Sequence, residues 1–115
     1  MTAQSLKQLG EVDFEREVLK SEVPTVVVDF FADWCGPCRT VSPILESLSR
    51  DYAGRAKFVK VDVDANERLA SVYDVQSIPT VIIFRKGQVL DRVVGAAPAA
   101  VYRAKLDAAQ QGRGE

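Results

Sequence analysis

The sequence predicts an α/β fold in which a central mixed sheet is flanked by helices on both faces. Apolar runs typical of buried strands alternate with segments of helical periodicity, and two late strand-like segments are separated only by Lys86-Gly87, a hairpin signal. Alternating strands and helices favour parallel pairs, and a hairpin adds an antiparallel pair. At 115 residues and 47% hydrophobic, residues 1–115 are expected to form one domain, with a core of about 6–110 and a frayed tail at 111–115.

The amino-terminal half is predicted to hold two strands and two helices. A short strand is expected around Leu6–Leu9, and Asp13 is the expected N-cap of a helix that ends near Ser21. The apolar run at 25–31 predicts the central strand. A second helix is expected to begin at two cysteines and to run to about Tyr52.

The carboxyl-terminal half is predicted to hold three strands and two helices. The strands are expected at Lys57–Val63, Thr80–Arg85 and Gln88–Val94, with a helix capped by Asn66 between the first two and a last helix at Ala99–Gln110. The apolar residues assigned to these two helices are Leu69, Ala70, Val72, Tyr73, Val101, Tyr102, Leu106 and Ala109.

Charge and hydrophobicity exclude several classes of function. The net charge is −1, so no strong basic field points to nucleic acid or to an anionic membrane. Residues Met1–Ser5 lack the positive and apolar regions of a secretory signal, and no run approaches the length of a transmembrane helix. A cytoplasmic protein is expected if the sequence is complete, and a mature form whose signal has been removed remains an alternative.

Cys35 and Cys38, the two cysteines of the chain, are the strongest candidates for chemistry. They follow a predicted strand and open a predicted helix, where unsatisfied N–H groups and the helix dipole stabilise a thiolate. Residues three apart on a helix have Cβ atoms about 5–6 Å apart, so a small adjustment closes a disulfide. The spacing favours a pair that opens and closes in thiol–disulfide exchange.

Other interpretations of the cysteine pair are weaker. A structural disulfide closing only four residues contributes about 2 kcal/mol, which is a poor cross-link. A zinc site needs about four ligands, and the chain has no histidine and no second cysteine pair, so only a site shared between molecules remains. A c-type haem site needs histidine where Arg39 stands. The interpretation that the cysteines are two inert buried thiols remains possible, but their position between a strand and a helix argues against it.

Asp29-Phe30-Phe31-Ala32-Asp33-Trp34-Cys35-Gly36-Pro37-Cys38 resembles the active-site segment of the thioredoxin family. The likeness extends through 43–45, 60–64, 78–80 and 94–96, and covers roughly residues 12–110. Phe31 departs from the family, where many members have tryptophan. The resemblance implies the thioredoxin strand order and a protein-disulfide reductase. Such a protein needs no cofactor of its own, takes electrons from thioredoxin reductase, acts on disulfide-containing proteins, and is expected to be a monomer.

The position of each cysteine predicts its role. Cys35 lies nearer the helix start, on the exposed side of the turn, and is the expected nucleophile, whereas Cys38 lies one turn inside and resolves the mixed disulfide. Gly36 and Pro37 shape the loop between them, because proline fits a first helical turn. Cys38 is expected to be the less exposed of the two cysteines and to need a base.

Asp29 and Lys60 are candidate groups for proton transfer. The sequence leaves open whether Asp29 is a solvated residue at a strand end or a buried carboxylate with a raised pKa. It likewise leaves open whether Lys60 is a solvated residue on an edge. The resemblance implies that Asp29 is the buried proton acceptor for Cys38, and that Lys60 lies nearby on the adjacent strand and tunes its pKa.

A substrate groove is implied by the same resemblance. For Ile78-Pro79 the sequence alone favours a trans bond, because cis bonds occupy only about 5–6% of X–Pro sites. The family implies a cis Pro79 beside the dithiol, with a preceding backbone that pairs with an extended substrate. The residues expected to line the groove are Trp34, Gly36, Pro37, Ile78, Pro79 and Gly95. Gly95 could also simply end a strand.

The sequence leaves two other functional classes possible. The chain could be a thioredoxin-fold subunit that binds a partner and carries an incidental dithiol. It could also be an oxidase or isomerase, although the family associates Gly36-Pro37 between the cysteines with a reductant. The intact residues 34–38, Asp29 and Pro79 favour the reductase.

Overall fold

The computed structural model describes residues 6–112. The described strands are β1 (Lys7–Gln8), β2 (Thr25–Phe31), β3 (Lys57–Asp62), β4 (Thr80–Arg85) and β5 (Gln88–Val94). The described helices are α1 (Glu11–Phe14, continued by a π-helical segment at Glu15–Leu19), α2 (Gly36–Asp51), α3 (Glu67–Val72) and α4 (Ala99–Ala109). The expectations for Met1–Ser5 and for tail residues 113–115 lie outside the described residues. Across residues 6–112, no helix has the length and apolar character needed to span a membrane.

The sheet is mixed, with the strand order β1-β3-β2-β4-β5. Strand β2 lies at its centre, parallel to β3 and antiparallel to β4. Six of its seven residues are buried, which explains why its sequence is a nearly continuous apolar run. The predicted α/β architecture is confirmed.

Each face of the sheet packs against its own pair of helices. Val27 of β2 packs with residues of α2 and α4, whereas Val26, Val28 and Phe30 pack with residues of α1 and α3. Side chains alternate along a strand, so Asp29 lies on the same face as Val27. The carboxylate is therefore placed under α2, the helix that begins at the cysteines.

Helix α1 is capped by a distant residue, and the prediction that Asp13 caps it is wrong. The helix begins at Glu11, whose backbone N–H donates to Oδ1 of Asn66 at 3.1 Å. In return, Oε2 of Glu11 accepts the backbone N–H of Leu69 in α3 at 3.3 Å. Asn66 occupies the N-cap position of α3 but makes no side-chain cap bond to that helix. The side chain of Asn66 thus caps the start of α1, and the side chain of Glu11 caps the start of α3.

Some predictions of burial and of element ends are also wrong. Val72 is 66% exposed and Val101 is 36% exposed, although both were assigned to apolar faces. Strand β3 ends at Asp62 rather than Val63. Residues 111 and 112 donate their backbone N–H groups to the carbonyls of Ala108 and Ala109 at 3.0 and 2.8 Å, and fraying of the tail at 111–115 stays a prediction.

Candidate active site

The two cysteines form a disulfide at the junction of β2 and α2, with a Cα–Cα distance of 5.3 Å. Cys35 is the N-cap residue of α2 and has an extended backbone, and Pro37 lies in the first turn. Gly36 and Pro37 are exposed on that turn. The helix continues through Pro43 to Asp51. The dithiol therefore lies where free backbone N–H groups favour negative charge.

The sulfur of Cys35 has a specific donor. The backbone N–H of Cys38 donates to Cys35 Sγ at 3.2 Å. The expectation that Cys38 is the less exposed cysteine is not confirmed, because both are buried, with Cys35 4% exposed and Cys38 5% exposed. The different positions of the two residues in the helix, and this hydrogen bond, are what distinguish the two sulfurs. A donor to Cys35 Sγ favours its thiolate.

Asp29 is a buried carboxylate, so the alternative of a solvated strand end is wrong. Its residue is 1% exposed, and neither carboxylate oxygen has a hydrogen-bond partner among residues 6–112. Burial raises the pKa of Asp29 from 3.8 to about 7, and the positive charge of Lys60 opposes that rise. A carboxyl group with this pKa exchanges protons readily near neutral pH.

Lys60 is the register partner of Asp29 on the neighbouring parallel strand β3. Because β3 lies between β1 and β2, the alternative of a residue on an edge strand is wrong. Its ammonium lies 5.1 Å from the centre of the Phe31 ring, so Phe31 forms a wall beside it. Lys60 and Phe31 also line a shallow depression with Cys38, Arg39 and Ser42. The lysine is thus close to both Asp29 and Cys38.

Four of the residues predicted to line the groove fall into two groups: Trp34 and Ile78 line an exposed groove, whereas Pro79 and Gly95 are hydrogen-bonded to each other. Trp34 is 68% exposed, and its indole N–H donates to Oδ2 of Asp64 at 2.7 Å. A shallow groove beside the disulfide is lined by Trp34, Val63, Val75, Gln76, Ser77 and Ile78. Pro79 is buried and follows a cis peptide bond, and its carbonyl accepts the Gly95 N–H at 2.8 Å. Ile78 links the groups, because it packs against the cysteines and also lines the groove.

Sequence reasoning missed several residues of this region. Asp64 fixes the indole of Trp34, and the segment 75–77 supplies one wall of the groove. Asp64 lies within the segment 60–64 that resembles the family, but nothing in the sequence indicates its bond to Trp34, and the segment 75–77 carries no signal beyond its proximity to 78–80. Tyr102 was assigned to the apolar face of α4, yet it carries a buried hydroxyl whose pKa is raised by burial and, to a smaller extent, by the charge of Asp29. No local pattern in the sequence distinguishes this tyrosine from an ordinary core residue.

A disulfide at a helix start, above a buried carboxylate and beside an exposed groove, defines the class of thiol–disulfide oxidoreductases. The sequence profile of thioredoxin matches residues 5–108. "Thioredoxin 1" of Nostoc sp. is 50% identical over 91 residues, which is 79% of this chain and 84% of the relative. "Thioredoxin" of Synechocystis sp. is 46% identical over 100 residues, covering 87% and 92%. "Thioredoxin" of Staphylococcus aureus is 45% identical over 94 residues, covering 82% and 88%.

The chain belongs to the thioredoxin family. It is a thiol–disulfide oxidoreductase with protein-disulfide reductase activity. The alternative of a binding subunit with an incidental dithiol is not favoured.

Reduction of the Cys35–Cys38 disulfide is expected to lower the free energy of unfolding by only about 2 kcal/mol. The closed loop is four residues long, so it removes little entropy from the unfolded chain. Paired denaturant titrations of the oxidised and reduced protein measure the difference. The double variant Cys35→Ser/Cys38→Ser, which forms no disulfide, should give the same midpoint with and without reductant. Unfolding on reduction alone would show that the disulfide is structural.

Proposed function

We propose that this oxidoreductase is a cytoplasmic electron carrier that receives electrons from thioredoxin reductase and passes them to disulfide-containing proteins. The observation that carries the proposal is an exposed groove, between Trp34 and Ile78, directly beside a buried disulfide. Both the donor and the substrates must bring their sulfur atoms to Cys35. An apolar groove beside this residue gives another protein chain a surface on which to dock.

The first step is attack by Cys35. Its thiolate forms a bond to one sulfur of the substrate disulfide, and the other substrate sulfur leaves as a thiolate that takes up a proton. The N–H of Cys38, which donates to Cys35 Sγ, and the start of α2 stabilise the attacking anion. Gly36 and Pro37 hold the turn that exposes this end of the helix.

The second step is resolution by Cys38. The ionised Asp29 carboxylate accepts the Cys38 thiol proton, and the new thiolate attacks Cys35 Sγ. The Cys35–substrate bond breaks, the second substrate sulfur leaves as a thiolate, and that thiolate is protonated. Lys60 favours the ionised form of Asp29 and so sets the fraction of protein that is ready to react. The enzyme has then lost two electrons and the substrate has gained them.

Substrate docking involves the backbone near Pro79. The residue before a cis Pro79 presents its backbone to an extended substrate segment, as in strand addition. Gly95 has a φ of +86°, and a Cβ added there would meet no atom within 4 Å, so the glycine leaves room for the docked chain. Trp34 and Ile78 provide apolar contacts in the groove beside the disulfide.

A reducing compartment suits this chemistry. A dithiol that donates electrons must be returned to its reduced form, and the cytosol maintains thiols in that form. The site is built within one chain from β2, α2, β3 and the segments at 75–79 and 95. A monomer is therefore sufficient for function, and light scattering of the purified protein measures whether it is one.

Trp34→Ala is expected to lower kcat/KM for insulin disulfide reduction by about tenfold, since burial of an aromatic side chain contributes about 1–3 kcal/mol to docking. Thioredoxin reductase should be the sole electron source in this assay. Val72→Ala is the matched control, because Val72 is also an exposed apolar residue but does not line the groove. Absence of turnover with any thioredoxin reductase, despite turnover with dithiothreitol, would contradict the proposed electron donor. Equal losses in both variants would contradict the proposed groove.

A further inference from the structure

Two side chains on the α2/α4 face carry buried oxygen atoms that lack ordinary hydrogen bonds. Among residues 6–112, the buried side-chain polar atoms without a partner are Oδ1 and Oδ2 of Asp29 and the hydroxyl oxygen of Tyr102. Leaving a buried polar group unpaired costs about 1–3 kcal/mol, so such groups are rare in native proteins. The unpaired oxygen atoms of Asp29 and Tyr102 lie in the same part of the core, which indicates a common function.

The fold brings these two side chains toward each other. Tyr102 is 1% exposed and lies in the first turn of α4, where side chains lean toward the helix start. It packs in the same cluster as Val81, the register partner of Asp29 on β4, and Val27, which shares a sheet face with Asp29. Burial raises the pKa of the Tyr102 hydroxyl, the Ala97 backbone lowers it, and the negative charge of Asp29 raises it. The phenol therefore packs on the same face of the sheet as the carboxylate.

We propose that the Tyr102 hydroxyl is a positioning group for Asp29, donating toward the carboxylate across one water molecule. The proposal rests on the proposed role of Asp29 as the proton acceptor for Cys38. A neutral donor aimed at a carboxylate favours its ionised form. Tyr102 thus acts from α4 in the same direction as Lys60 acts from β3. It holds more of the Asp29 population in the form that can take the Cys38 proton.

The other charged and titratable groups on this sheet face have defined places. They include Lys60 and Asp62 on β3, Cys38 on α2, Tyr52 directly after α2, Arg85 on β4, Asp91 on β5 and Lys105 on α4. Asp91 and Lys105 form an ion pair at 3.2 Å, and Arg85 donates to Thr25 at 2.8 Å. Thr25 begins β2 four residues before Asp29, so this pair lies further along the strand. The Tyr102 hydroxyl is the uncharged donor that α4 supplies to the Asp29 region.

The pKa of Asp29 in the oxidised protein tests the proposal directly, because the disulfide removes cysteine titration. It can be followed by carbon-13 NMR of the labelled aspartate carboxyl carbon. In Tyr102→Phe, which removes only the hydroxyl, the pKa of Asp29 should rise by about half a pH unit or more. Tyr73→Phe is the matched control. Tyr73 lies on the opposite face, against Phe14 and Phe84, and its substitution should leave the Asp29 pKa unchanged.

A second substitution separates the hydroxyl from the ring. Tyr102→Leu removes both, and it should raise the Asp29 pKa at least as much as Tyr102→Phe does. An unchanged Asp29 pKa in Tyr102→Phe would overturn the proposal, and so would a fall. A shift seen only in Tyr102→Leu would also overturn it, because packing of the ring would then be the cause.

The pH profile of mixed-disulfide resolution gives the kinetic readout. In Tyr102→Phe the profile should move to higher pH by the same amount as the Asp29 pKa, with an unchanged rate of Cys35 attack. If the pKa rises and the profile stays fixed, Tyr102 does not act in resolution and the proposal fails. If Asp29 is not the proton acceptor for Cys38, the result is different: Asp29→Asn then resolves the mixed disulfide at the wild-type rate.

Discussion

Cys35→Ser is expected to abolish disulfide reduction, by roughly a thousandfold or more, because the serine hydroxyl remains protonated at neutral pH and is a poor nucleophile. Cys38→Ser is expected to stop after the first step and to accumulate a mixed disulfide through Cys35. The two outcomes differ because only the N-cap sulfur, Cys35 Sγ, accepts the N–H of Cys38 and lies at the helix start. The order of attack follows from that position.

Mass spectrometry of Cys38→Ser incubated with an oxidised protein substrate measures the trapped species. The double variant Cys35→Ser/Cys38→Ser is the control and should trap nothing. Alkylation of the reduced wild-type protein at neutral pH, followed by peptide mapping, should modify Cys35 first. Preferential alkylation of Cys38 would reverse the assignment of nucleophile and resolving residue.

Asp29→Asn is expected to slow resolution of the mixed disulfide at pH 7 by about a hundredfold, the lower range for a general base. The defect should shrink as the pH rises, because hydroxide can then deprotonate Cys38 without the carboxylate. Asparagine keeps the shape of the side chain, so the rate of Cys35 attack should remain near the wild-type value. Stopped-flow measurement of the two steps at several pH values separates these effects.

The same substitution should change how stability depends on pH. The pKa of Asp29 is about 7 in the folded protein and 3.8 in an exposed reference, so the folded state holds this proton more tightly. The stability that Asp29 contributes is therefore fully present below about pH 4. It is lost as the pH rises toward 7, by up to roughly 4 kcal/mol for a shift of this size. Asp29→Asn has no such proton and should show no such loss.

Other carboxylates act in the opposite direction, so the comparison must be a difference between two proteins. Lys57 and Lys7 lower the pKa of Glu17 to about 2, which makes its contribution grow as the pH rises from acid. Subtracting the pH–stability curve of Asp29→Asn from that of the wild type cancels this contribution. Identical curves together with identical rates of resolution would show that Asp29 does not titrate in this range and does not accept the proton.

Much of the architecture was predictable because its causes are local. The run at 25–31 is apolar at nearly every position because β2 is buried on both faces, and Lys86-Gly87 marks the turn between β4 and β5. The bounds of those two strands, Thr80–Arg85 and Gln88–Val94, are confirmed. Strand order came instead from the family resemblance, since periodicity does not specify which strands are neighbours.

The errors arise where a distant contact decides the local structure. Asp13 is a good capping residue by composition, but Asn66 arrives from another part of the chain and starts α1 at Glu11. Val72 fits a helical stripe, but α3 ends at that residue and leaves it exposed. In the active site, the apolar neighbours of Asp29 left its burial open, and the family resemblance implied it. The position of Tyr102 on the same sheet face as Asp29 could not be predicted from the sequence, because α4 meets that face of the sheet only in the folded protein.

The exchange of caps between α1 and α3 also has a consequence for variation among related sequences. Residues 11 and 66 are 55 positions apart, yet each supplies an oxygen atom that meets a backbone donor at the start of a helix. Loss of either side chain leaves a donor unmet, which costs about 1 kcal/mol. The side-chain amide of Asn66 also donates to the Asp62 carbonyl at 3.0 Å and so fixes the end of β3. We therefore expect the residues at these two positions to covary among related sequences.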